Sequence, residues 1–174
     1  HISFAELVPV IEKLTDESSY LVVSGVKAVL SGLKIFVEEG SETEEAYNDL
    51  VIKLSRFNFD RLGFEAKDGE SDEDELVRQI VIGNLIAAND EKATQEADGI
   101  FKAHQDDLEK LPAAIRLHIL INQIKHHESK ELTDQYLKNY VSTVDGSFKR
   151  QLASALAYTN DKETLDRFLE ALKN

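Results

Sequence analysis

Apolar residues recur along this chain at three- and four-residue intervals, and no segment shows the two-residue alternation of a half-buried strand. Start and stop signals divide that pattern into about nine helices. A first helix opens at Ser3, with Glu6 completing a capping box, carries Leu7, Val10, Ile11 and Leu14 on one face, and meets a kink at Pro9. A second, over about 16–38, repeats Val22, Val26, Val29, Leu33, Phe36 and Val37 and ends at Gly40. Ser41 and Glu44 form the capping box of a third, whose Leu50, Leu54 and Phe57 point inward until Gly63 stops it. An acidic link, Glu65 to Glu70, leads to a fourth from Ser71, where Asp72, Glu73, Asp74 and Glu75 match the positive end of the helix dipole.

The same grammar continues to the end. Asp90 caps a fifth helix carrying Ala93, Ala97, Ile100 and Phe101, and Pro112 begins a sixth. Ser129, Asp145 and Asp161 cap the last three, with buried stripes at Leu132 and Tyr136, at Phe148, Leu152, Ala155 and Leu156, and at Leu165, Phe168, Leu169 and Leu172. Starts near 71, 90, 112, 129, 145 and 161 are nearly evenly spaced. Ile115, Leu117, Ile119, Leu120, Ile121 and Ile124 cover more than one face of the sixth helix, as in a helix flanked on both sides. The expected fold is therefore all-α: an irregular α-solenoid of stacked antiparallel helix hairpins, HEAT- or armadillo-like, with a compact bundle as its rival.

Charge and composition narrow the function. The 174 residues carry a net charge of −13, which argues against a phosphate-binding surface and hence against nucleic acid. Most of that charge falls in residues 38–75, read chiefly as a solvated link and dipole-matched helix starts. Eight glycines and two prolines leave little material for turns and favour long helices. The absence of cysteine excludes disulfides, a thiol nucleophile and a thiolate zinc site, and agrees with a reducing compartment. No apolar run approaches the roughly 20 residues of a membrane span. A chain that starts at His1 and contains no methionine is expected to be a piece of a longer protein.

Candidate chemistry is sparse. A helical zinc site needs two histidines one turn apart beside a glutamate; His126 and His127 are adjacent, pointing about 100° apart, and His118 lacks a third ligand. These are expected to be surface or helix-end side chains, and His104 a partly buried one. The serines Ser3, Ser41, Ser71 and Ser129 fall at caps, and there is neither a G-x-S-x-G elbow nor a glycine-rich phosphate loop. The cations placed to act specifically are Lys149, Arg150, Arg78 and Arg116. The last two lie within apolar helices, where snorkelling or pairing with a carboxylate across a helix interface is expected.

Several tracts, taken in order, resemble the C-terminal helical domain of the M1 family of zinc aminopeptidases, the aminopeptidase N type, and are closest to its bacterial cytosolic members. They are Asp16-Glu17-Ser18-Ser19-Tyr20-Leu21-Val22-Val23; Arg61-Leu62-Gly63-Phe64-Glu65 with Gly69-Glu70-Ser71 and Leu76-Val77-Arg78; Ala97 and Phe101; Leu111-Pro112 with Ile115-Arg116; and Lys149-Arg150 before Ala153 to Thr159. The resemblance implies a single helical domain over 1–174, the first half of the C-terminal domain of a larger, cytoplasmic, multidomain enzyme. That enzyme removes N-terminal amino acids from peptides with a zinc ion held elsewhere: H-E-x-x-H and the G-A-M-E-N-like strand are missing here. This part would hold no cofactor and perform no catalysis alone, forming a curved wall over the active-site chamber and limiting access.

The implied partners are the other domains of the same polypeptide and, in the parent, the peptide substrate. Arg78, Arg116, Lys149, Arg150 and Tyr158 are the candidates for groove or interdomain contacts. Some relatives have an arginine for a peptide carboxylate in the tract matching Ala157-Tyr158-Thr159, and here it is Tyr158. The resemblance also implies a lost neighbour for the final helix, hence self-association through that end. The alternative reading is a free-standing HEAT-like scaffold that binds another protein.

Overall fold

The computed structural model describes residues 4–173. All regular structure among them is helical: α1 (Phe4–Ile11), α2 (Tyr20–Lys34), α3 (Glu42–Leu62), α4 (Asp72–Ala87), α5 (Glu91–His104), α6 (Arg116–His127), α7 (Lys130–Ser142), α8 (Gly146–Leu156) and α9 (Lys162–Ala171). Short 3₁₀ turns at Glu12–Leu14 and Leu108–Lys110 complete the set. The packing falls into two compact units, one ending at Ala93 and the other beginning at Thr94.

In the first unit, the buried residues Ile11, Leu30, Leu33, Leu50, Val51 and Leu54 form a core on which Leu7, Val8, Val26 and Val29 also pack. Arg61, late in α3, binds Asp74, early in α4, while Ser55 accepts from Asn84 near the end of α4. Opposite ends meet, so α3 and α4 are antiparallel. Phe59 and Phe64, centroids 5.8 Å apart and edge to face, close the hairpin at its turn. Gly63 makes that turn at φ 60°, a left-handed backbone where a side chain would be strained, with its N–H on the Phe59 carbonyl.

In the second unit, Lys149 near the start of α8 lies over the ring of Tyr140 near the end of α7, so these neighbours are antiparallel. Next-but-one helices run parallel instead: Arg116 and Phe148 join the starts of α6 and α8, and Thr133 and Thr164 the starts of α7 and α9. This is the local grammar of stacked hairpins. Every cap read from sequence for α7, α8 and α9 forms, with Ser129, Asp145 and Asp161 accepting from Leu132, Ser147 and Thr164 N–H groups.

Several expectations are corrected. The Ser3–Glu6 capping box lies outside the described residues. Val10 and Ile11 both lie on α1, but Val10 is exposed while Ile11 is buried in the core with Leu30 and Leu50. The second helix is shorter than 16–38: Ser19 is extended, and turns after Lys34 leave Phe36 in solvent. Ser41 caps α3 as expected, accepting from the Glu44 N–H, while the Glu44 carboxylate accepts from the Gly40 N–H and pairs with Lys34. Phe57 is partly exposed and Phe59 takes its place inside. Pro112 opens a turn that reaches Ile115 before α6 begins. Of the apolar stripe on the last helix only Phe168 is buried, edge to face on Tyr140 at 5.5 Å; Leu165, Leu169 and Leu172 are about half exposed.

Candidate functional site

The candidate cations separate by what surrounds them. Arg78, on α4 and buried, bonds Glu70 at the end of the acidic link. That guanidinium holds the Glu70 carboxyl below the usual carboxylate range, and Arg61 does the same for Asp74, which also caps α4 in a complete box with Ser71. One oxygen of Glu70 and the Nε of Arg78 are buried without a partner, so the pair is not a two-bond fork.

Arg116 is equally enclosed. Its Nε donates to the Leu111 carbonyl at 3.1 Å, one terminal nitrogen to the Glu109 and Leu111 carbonyls at 2.6 and 3.0 Å, and the other to Gln151 Oε1 at 3.3 Å. Asp145 stands 4.0 Å away, and the guanidinium lies over the Phe148 ring at 5.0 Å. Arg116 thus satisfies carbonyls at the end of the 3₁₀ turn. Both arginines are buried and bond to groups within the chain. Lys149 sits over Tyr140 at 4.8 Å, whereas Arg150 and Tyr158 are exposed.

His104, His126 and His127 end helices, whereas His118 lies in the first turn of α6. His104 Nδ1 lies 2.9 Å from the Ile100 carbonyl, and burial pushes the His126 pKa down, helped by neighbouring Lys125 and His127. His127 Nε2 reaches Asp98 Oδ2 at 2.9 Å, while Asn122 and Gln123 both donate to Asp98 Oδ1 at 2.7 Å. Sequence reading missed this α5–α6 network, because a lone aspartate inside a helix gives no pairing signal. It also missed Glu128, whose carboxylate accepts from the Thr159 hydroxyl and the Asn160 N–H. Among the described residues, no three His, Asp or Glu side chains are grouped to hold a metal ion, so the donors present do not fit a zinc site. No helix among them is long and apolar enough to cross a membrane.

Comparison with known proteins accords with this arrangement. The ERAP1-like C-terminal domain family matches residues 1–174. Aminopeptidase N of Lactococcus lactis subsp. lactis is 42% identical over 174 residues, covering 99% of this chain and 20% of the relative. Aminopeptidase N of Lactobacillus helveticus is 35% identical over 173 residues, with the same coverage of 99% and 20%. Aminopeptidase M1-B of Oryza sativa subsp. japonica is 26% identical over 175 residues, covering 98% of this chain and 20% of the relative. The chain spans about one fifth of the length of the relatives it matches.

Proposed function

The chain belongs to the ERAP1-like C-terminal domain family, and on that premise we propose that it is the non-catalytic helical part of a zinc-dependent aminopeptidase, the first half of a C-terminal domain that walls the active-site chamber. The observation that carries this reading is the 42% identity to an aminopeptidase N over 99% of the chain but only 20% of the relative. The reaction removes N-terminal residues from peptides, and the zinc ion, bound in another domain, supplies the activated water. This chain's contribution is steric: helices packed without catalytic groups admit flexible peptides, exclude folded proteins and help keep water from the reacting bond. A cytoplasmic location goes with this reading.

Geometry narrows the candidate contacts. Arg116 spends its donors inside the chain and Arg78 is buried against Glu70, so peptide or interdomain contacts fall to the exposed Arg150 and Tyr158, with Lys149 beside them. The test is to read the parent open reading frame for H-E-x-x-H upstream of residue 1, then assay parent and fragment on an aminoacyl chromogenic substrate. The expected outcome is turnover by the parent alone. A frame without that motif, or turnover by the purified fragment, overturns the proposal; the former favours the scaffold reading.

A further inference from the structure

Helix α2 has three faces rather than two. Val22, Val26, Val29, Leu30 and Leu33 face the core, and Ser24, Lys27, Ser31 and Lys34 form a polar face. The third face is Leu21, Gly25, Ala28, Gly32 and Ile35, all exposed, at intervals of four, three, four and three residues. That is the heptad spacing of a helix seam. No polar side chain interrupts it. Leu21 is 78% and Ile35 81% exposed, and Phe36 extends the patch at 77%.

The two glycines supply a second observation. Mid-helix glycine is among the least favourable helix residues, and it is tolerated where another backbone comes close. A Cβ added at Gly25 or Gly32 meets nothing within 4 Å inside this chain. Nothing in the fold therefore accounts for either glycine. Large apolar ends around a small-residue centre form a shallow seat with the shape of a second helix.

We propose that this face of α2 seats an apolar helix from the part of the parent polypeptide that precedes residue 1. The inference rests on the aminopeptidase reading, and it names the surface through which this domain meets the rest of the enzyme. Two considerations favour that occupant over a second copy of the chain. The matched relatives have about four fifths of their length outside the match, and the family is that of a C-terminal domain, so sequence upstream on the same polypeptide is available to supply the helix. A face of 15 residues, about 22 Å long and roughly 10 Å wide, buries with its partner only about 500 Å², against the roughly 1,200 Å² of a stable dimer. Contact within one polypeptide proceeds at effective millimolar concentration, where such an area suffices.

The experiment compares hydrogen exchange of the α2 amides in this chain and in the full-length parent, each with and without Ala28→Lys, and melts the chain with and without Gly25→Ala and Gly32→Ala together. The chain alone should accept Ala28→Lys without loss of fold, and the glycine pair should raise its Tm by about 2–4 °C. In the parent, α2 should exchange at least about tenfold more slowly than in the chain alone, and Ala28→Lys should remove that slowing. Equal exchange in both, or slowing that survives Ala28→Lys, overturns the proposal. So does a dimer of the isolated chain, seen by sedimentation, that Ala28→Lys dissolves, because the occupant is then a second copy. A parent without H-E-x-x-H whose α2 is nevertheless protected sinks the enzymatic reading and leaves this interface standing.

Discussion

Arg116 lies against the face of the Phe148 ring, its guanidinium carbon 5.0 Å from the ring centroid, and so ties the start of α6 to the start of α8 two helices later. The same side chain donates to the carbonyls of Glu109 and Leu111, at the end of a 3₁₀ turn. A planar five-donor group does this; an ammonium does not. Arg116→Lys should therefore cost about 2–4 kcal/mol by stranding buried carbonyls. Urea unfolding of both proteins measures it, with Arg150→Lys, exposed and expected within about 0.5 kcal/mol of the parent sequence, as control.

The Glu70–Arg78 and Asp74–Arg61 pairs set a pH dependence. Both carboxyls are held below their ordinary values, so their contribution is fully present above the unfolded pKa values of about 4 and is lost as pH falls through the lower folded values. Stability should thus decline between about pH 5 and pH 2, and Glu70→Gln should flatten that decline while lowering stability at neutral pH. Thermal melts across the range give the answer, and an unchanged slope in the variant would count against the assignment.

Tyr136 is fully buried and donates its hydroxyl to the Leu120 carbonyl at 3.2 Å; burial pushes its ionisation far above the ordinary tyrosine value. Tyr136→Phe should cost about 0.5–1.5 kcal/mol, the worth of one hydrogen bond, while Tyr136→Ala should cost about 3–5 kcal/mol by opening a cavity. The ratio of the two, from equilibrium unfolding, separates packing from hydrogen bonding at this position.

Helix α9 carries a half-exposed stripe, Leu165, Leu169 and Leu172, beside a buried Phe168. Self-association through this stripe should appear in sedimentation at high concentration and disappear in Leu169→Asp with little change in Tm. Phe168→Ser, by contrast, should cost roughly 3 kcal/mol or more, because that ring packs on Tyr140. A monomer at every concentration means that the stripe binds no second copy.

Local chemistry was legible in the sequence wherever partners lie within one helical turn. Ser71, Asp90, Ser129, Asp145 and Asp161 all cap as read, because a cap needs only a short side chain two or three residues from an unpaired N–H. The core stripes of α8 follow for the same reason: a period of 3.6 puts Phe148, Leu152, Ala155 and Leu156 on one face whatever lies opposite. The all-helical class comes from that level alone.

Which faces find a neighbour is another matter. Phe57 and Phe59 are equally apolar, yet only Phe59 is buried, because Phe64 and the turn at Gly63 close over it. Leu165 and Phe168 share a stripe, and Tyr140 covers only the second. Asp98 gathers Asn122, Gln123 and His127 from a helix more than twenty residues away. Periodicity reports that a side chain seeks burial, but the area it loses to water depends on the elements packed across from it. The hydrophobic term rewards whichever contacts the whole chain can make at once, so tertiary structure alone decided these outcomes.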